Sequence, residues 1–172
     1  MLQLPHTTGC LVCGRDNPHG LGLDLYVDEG SGLVRCKFTP TEHHTGFEHI
    51  VHGGLLATVV DEAMVWTATW RARRFCLCGE MTVRFRQGAA PGQMLNVEAI
   101  VDYSRPKLIE TSAKIFDASG RLLTTASGKY IPLTPEQHQA ALRSFIDKPE
   151  TAAAARFLGP TDTSMRAASD AN

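Results

Sequence analysis

Hydrophobic and polar residues alternate along most of this chain, and the alternation fails in one place. From Leu21 to Val27 the apolar Leu21, Leu23, Leu25 and Val27 interleave with Gly22, Asp24 and Tyr26, the period of a half-buried strand. The turn Glu29–Gly32 leads to a second alternating run, Leu33–Thr39, so the pair reads as a hairpin. Further strands are predicted over Cys76–Gln87, Met94–Asp102, Leu108–Asp117 and Arg121–Pro132, separated by Gly- and Pro-containing turns. The exception lies between the second and third strands. The stretch His52–Trp70, HGGLLATVVDEAMVWTATW, is apolar on nearly every face. A helix over Gly53–Trp70 is therefore expected to be enclosed by protein rather than to lie on a surface. Arg71, Arg73 and Arg74 suit its C-terminus, where they oppose the dipole.

Two strands, a buried helix and four more strands predict an α+β fold, an antiparallel sheet of about six strands wrapped around one long central helix. The main domain is expected over residues 21–133. Ahead of it, residues 1–20 form a Cys- and turn-rich segment containing CLVCG at Cys10–Gly14. Behind it, Thr134, Pro135 and Gln137 carry the signature of a helix start, so residues 134–147 read as a C-terminal helix. Residues 148–172 are small and polar and read as a flexible tail.

Composition narrows the function classes. With 43% hydrophobic and 20% charged residues the chain reads as an ordinary globular protein, and a net charge of -1 gives no reason to expect nucleic acid as a partner. No membrane partner is expected either, because Asp61 and Glu62 break the longest apolar run. The N-terminal MLQLPHTTGC lacks a basic n-region and an apolar h-region. Together with five cysteines, that suggests a cytoplasmic location.

The chemistry concentrates on the central helix. A carboxylate in an apolar setting is costly unless paired or hydrogen-bonded, so Asp61 and Glu62 stand out. They lie about 100° apart around the helix and are not expected to share a pocket. Asp61 is the candidate catalytic acid, and Glu62 reads as an interface or salt-bridge residue. At the helix start, His52-Gly53-Gly54 offers unpaired N–H groups, a positive dipole end and room for a ligand oxygen. Such donors stabilise an oxyanion. His52 fits either a capping role or contact with substrate. Cys10 and Cys13 have the spacing of half a zinc site, but Cys76 and Cys78 are one residue apart and do not complete it. The cysteines therefore read as small buried hydrophobes, with no metal and no cofactor expected.

The segments VHGGLLATVVDEAM (51–64), CLVCGRDNPHGLGL (10–23) and MTVRFRQGAAPGQ (81–93) are similar to those of PaaI-like acyl-CoA thioesterases of the hotdog fold. The resemblance spans Cys10 to Leu133. It implies hydrolysis of an acyl-CoA to a free acid and CoA, by a homodimer or a dimer of dimers with sites between subunits. Asp61 would serve as nucleophile or as general base, and the Gly53 and Gly54 amides would polarise the carbonyl. Many relatives carry Asn or Gln where this chain has Gly46, which leaves Glu48 and His49 as the nearby polar groups. Cys78 stands where some relatives have Ser or Thr. Arg84 and Arg86 are candidate contacts for the CoA phosphates. Two alternatives stay open, an acyl-thioester hydratase or dehydratase and a non-catalytic acyl-CoA-binding protein.

Overall fold

A computed structural model describes residues 1–159. Its strands are β1 (Leu2–Gln3), β2 (Leu25–Val27), β3 (Val34–Phe38), β4 (Thr45–Phe47), β5 (Ile50–Val51), β6 (Cys76–Phe85), β7 (Leu95–Arg105), β8 (Leu108–Asp117) and β9 (Leu122–Pro132). The helices are α1 (Gly53–Ala72), α2 (Pro135–Leu142) and α3 (Ala152–Leu158). Seven strands form one antiparallel sheet in the order β1-β2-β3-β7-β8-β9-β6, and β4 and β5 make a separate small hairpin.

The sheet packs its inner face against α1. Alternation sets that face: Val97, Ala99, Ile109, Ala113, Ile115 and Leu123 are buried and meet Leu56, Val59, Val60, Ala63 and Met64 from the helix. A helix this apolar has little drive to lie flat on a surface, and the curved sheet surrounds it instead. Register irregularities at Cys78/Glu80 in β6 and Val101/Tyr103 in β7 assist the curvature. The chain enters α1 through His52, whose Nδ1 accepts the Gly54 N–H at 2.9 Å. It leaves through Arg73 in the left-handed conformation, φ 51°.

Four expectations need correction. The strand expected from Leu21 is confined to Leu25–Val27, because Gly22 turns the backbone at φ 58°. Leu21 and Leu23 instead donate their N–H groups to Leu11 and Val12 carbonyls at 2.8 Å each, fastening the Cys10–Gly14 loop to the domain. The N-terminal segment is no separate unit, since β1 extends the sheet beside β2. The C-terminal helix ends at Leu142, short of residue 147. The chain is drawn out of helix there because Thr8 N–H donates to Ser144 and Ile146 N–H to His6, pairing it with the N-terminal segment.

The fourth correction concerns the tail. Pro149–Thr151 form a 3-10 turn and Ala152–Leu158 form α3, built on an alanine run of high helix propensity. Ala154 and Leu158 are buried, and Phe157 stacks on Trp70 with ring centroids 4.0 Å apart. With Phe75 and Phe145 against Trp66, these groups cover the C-terminal half of α1. The remainder of the expected tail, residues 160–172, lies outside the described residues.

Candidate active site

Asp61 lies in the middle of α1 with its side chain turned toward β6 and β9. Its Oδ1 accepts a hydrogen bond from the Tyr130 hydroxyl at 2.7 Å. Tyr130 is fully buried, and burial and the neighbouring Asp61 charge push its phenol pKa far up, so it stays a donor. Gly128 makes room for the ring: a Cβ there would lie 2.8 Å from a Tyr130 ring carbon. Cys78 belongs to the same cluster, its thiol pKa raised by burial and by the Asp61 charge. It sits exposed on β6, the outermost strand at that end of the sheet.

Glu62 faces elsewhere, as the helical angle predicts. It takes no part in a salt bridge among the described residues, which corrects the salt-bridge half of that expectation. Its Oε1 accepts the Trp66 indole N–H at 2.9 Å, and the Cys10 thiol lies 3.9 Å away. Burial, then the negative charge on Cys10, pushes the Glu62 pKa up to about 7. Cys10 itself is lowered to about 5, chiefly by a hydrogen bond from the Cys13 thiol and then by backbone N–H groups of Cys13 and Val12.

At the start of α1 the structure changes the expected pair of oxyanion donors. The Gly54 N–H is already taken by His52, so it is not a free donor. Gly53 is different. Among the described residues its N–H has no acceptor, and it borders a cavity of about 390 Å³ lined by Phe47, Ile50, His52, Leu56, Phe85 and Arg86. His52 is thus a cap, and its ring is exposed beside the same cavity. Both glycines allow close approach: a Cβ on Gly53 would come 3.3 Å from the Phe85 ring, and one on Gly54 2.9 Å from the His52 ring, which would have to shift. Gly46 packs in the same way, its Cβ position 3.0 Å from the His52 ring. The room an amide side chain would occupy is therefore filled by His52.

The remaining candidates are scattered. Glu48 and His49 pair at 3.5 Å at the exposed tip of the β4–β5 hairpin, with His49 held at φ 60°. Arg86 borders the cavity, whereas Arg84 follows the inward Val83 in β6 and shares the outer sheet face with Thr82. A larger groove of about 730 Å³ crosses the outer face of β2, β3 and β7 and contains none of the Asp61 cluster. Tyr130 is the residue that sequence reasoning missed. Ala126, Gly128 and Tyr130 alternate inward along β9, so a buried tyrosine in need of a hydrogen-bond partner was there to be read.

The thioesterase superfamily sequence pattern matches residues 48–124, from the β4–β5 hairpin through α1 into β9. No curated protein matches the chain by sequence. Among solved structures, the chain is similar to the PaaI protein of the phenylacetic acid degradation operon of E. coli. The two share 19% identity with a TM-score of 0.61, over 66% of this chain and 81% of that one. A variant of the phenylacetic acid degradation protein PaaI from Thermus thermophilus matches at 16% identity and TM-score 0.60, over 66% and 95%. A Streptococcus mutans protein solved bound to acetyl CoA matches at 11% identity and TM-score 0.60, over 64% and 88%. Around one enclosed helix, the antiparallel sheet of this protein is the hotdog fold, and residues 48–124 match the thioesterase superfamily pattern.

Proposed function

We propose that the protein hydrolyses an acyl-CoA thioester at a site formed between two copies of the chain, with Asp61 as general base or nucleophile. The observation that carries this reading is the Asp61 carboxylate, partly buried on the central helix and fixed by the Tyr130 hydroxyl beside an open sheet edge. Eight residues separate Asp61 from Gly53, so about 12 Å of helix lies between the acid and the Gly53 N–H of the same chain. One attacking group and one oxyanion donor must meet a single carbonyl within hydrogen-bond reach. Two copies placed so that Asp61 of one faces the α1 start of the other meet that requirement.

The edge strand supports this arrangement. β6 offers unpaired backbone groups along ten residues, and Leu77 and Phe85 on it are 61% and 51% exposed. Next to Leu77 in register, Ile131 is 52% exposed. Pairing of β6 with its own copy would cover these residues and enclose the Asp61–Cys78 corner.

In the reaction, water adds to the thioester carbonyl carbon as Asp61 takes its proton, or the Asp61 carboxylate adds and forms a mixed anhydride that water then hydrolyses to the free acid and Asp61. The Gly53 N–H and the dipole of α1 stabilise the oxyanion, the C–S bond breaks, and CoA leaves as a thiolate that then takes up a proton. Arg86 at the cavity rim is placed to meet a phosphate or the pantetheine amides. The acetyl CoA bound by the Streptococcus mutans protein of the same fold supports this substrate class. The test is thiol release across acyl-CoAs of varied chain length and aromaticity, with wild type and Asp61→Asn side by side. Loss of roughly 10²–10⁴-fold in the variant is expected. Turnover unchanged by Asp61→Asn, or no release from any substrate by a folded oligomer, would overturn the assignment.

A further inference from the structure

Cys10, Cys13 and Glu62 form a second cluster, about 100° around α1 from Asp61. One ligand atom from each, two sulfurs and a carboxylate oxygen, lie within 4.8 Å of one another. Cys10 Sγ is 3.9 Å from Glu62 Oε1, and Thr7 Oγ1 lies 3.4 Å from Cys13 Sγ. A tetrahedral zinc ion with bonds of about 2.3 Å to sulfur and about 2.0–2.2 Å to oxygen holds neighbouring ligand atoms roughly 3.5–3.8 Å apart. The side chains need only small shifts to reach that spacing.

The loop is shaped to present sulfur. Val12 N–H donates to Cys10 Sγ at 3.3 Å, and Gly14 N–H closes the turn onto the Cys10 carbonyl at 3.1 Å. A Cβ on Gly14 would collide with the Cys10 backbone, so the tight C-x-x-C-G turn depends on that glycine. The other end is rigid as well. Glu62 is anchored on the central helix and fixed by the Trp66 indole at 2.9 Å. Among the described residues, no Lys, Arg or His pairs with Glu62. A partly buried carboxylate facing two thiols, with no cation beside it, lacks the partner such a group normally requires.

We propose that Cys10, Cys13 and Glu62 bind a thiophilic divalent cation of the zinc class, with the fourth position taken by water. Two sulfurs and one carboxylate select zinc over hard cations such as magnesium or calcium. The ion ties the N-terminal loop to the central helix across 52 residues of sequence. Its role is structural, since Glu62 projects about 100° around α1 from Asp61 and has different partners from the Asp61–Tyr130 pair.

The test uses the full-length protein, reduced and stripped with a chelator, then titrated with Co²⁺ and afterwards with Zn²⁺. One equivalent of Co²⁺ should produce a near-ultraviolet thiolate-to-cobalt charge-transfer band that Zn²⁺ bleaches. Cys10→Ser should abolish the band and Cys78→Ser should leave it intact. Glu62→Gln should weaken Co²⁺ binding by at least the ~10–100-fold that loss of a supporting partner costs a metal site. Cys13 is buried and its serine variant risks misfolding, so the decision rests on wild type, Cys10→Ser and Glu62→Gln. Absence of the band in fully reduced wild type overturns the proposal. So does a band that survives Cys10→Ser, or a Cys10–Cys13 disulfide formed without any metal uptake.

Discussion

The hydroxyl of Tyr130 and the carboxylate of Asp61 meet at 2.7 Å, although 69 residues separate them in sequence. The bond joins the central helix to β9. A hydrogen bond to a charged group contributes about 1.5–3 kcal/mol. Tyr130→Phe keeps the ring and removes only the donor. It is expected to lower stability by about that amount and the rate of thiol release by roughly tenfold, with KM little changed, because Asp61 stays in place but is less well oriented. Denaturant unfolding and steady-state kinetics on the same preparation check both parts. The phenol pKa is raised by burial and then by Asp61, so no tyrosine limb should appear in the wild-type pH–activity profile up to about pH 10.

His52 caps α1 through its own ring and leaves Gly53 as the free donor. His52→Ala should cost about 1 kcal/mol through loss of the cap. Because the Gly54 N–H is released at the same time, activity should fall far less than in Asp61→Asn. Thermal denaturation and thiol release, measured together, separate the capping role from direct participation.

Asp24 gathers three partners from the N-terminal segment: Gln3 at 3.0 Å, His6 at 2.8 Å, and Arg15. Burial alone would raise its pKa, but the hydrogen bonds from Arg15 and His6 and their charges outweigh it, and the folded value lies below the usual one. The folded state therefore binds this proton more weakly than the unfolded chain. The stabilisation is complete above the unfolded value of about 3.9 and is lost as pH falls through the lower folded value. Asp24→Asn should be clearly less stable than wild type at about pH 7, and the gap should be smaller at about pH 3. Urea unfolding at the two pH values checks the sign.

Leu77 is exposed near the start of the edge strand β6, beside the exposed Ile131 of β9. A charge there, in Leu77→Lys, should oppose pairing of β6 with its own copy. Sedimentation is expected to show a folded monomer, and thiol release should be lost with the dimer. A monomer that retains full activity would remove the between-copies site while leaving Asp61 itself in question only through its own variant.

Leu158 is fully buried and Phe157 stacks on Trp70. Leu158→Ala should cost about 2–5 kcal/mol, as for other large-to-small changes in a core. Phe157→Ala should cost less, because its ring is only partly covered, but it should shift tryptophan emission to the red. Fluorescence-monitored unfolding of the two variants checks the order.

The strands were legible because each has one dominant period, and the central helix because its long apolar run breaks that period. Helical spacing alone put Asp61 and Glu62 on different sides, and the structure gives them different partners. Contacts that join distant segments left weaker traces. Tyr130 meets Asp61 across 69 residues, and Cys10 meets Glu62 across 52. Nothing in either local pattern names the other end. The pair Glu62 and Trp66, by contrast, stands four residues apart on one helix face and could have been read from spacing. The α3 helix escapes a sequence reading because it is seven residues long and has no capping side chain; its order comes from Trp70 and the buried Leu158 rather than from its own sequence. Gly54 reads as a substrate donor in the sequence because spacing carries no sign that the His52 ring turns back onto its N–H.

The aromatic cover over α1 also has a consequence for how the protein is made. Synthesis runs from the N-terminus, so α1 leaves the ribosome before the four longest strands and before Phe145, Phe157 and Leu158. Until translation has passed residue 158, Trp66 and Trp70 lack their full roof, and until it has passed residue 146 the N-terminal segment has no Ser144 or Ile146 to pair with. The nascent chain therefore carries its most apolar helix uncovered while all the strands between are made, and native closure waits on residues far downstream. Slow codons or a stall ahead of residue 145 would lengthen the interval in which that helix stays uncovered.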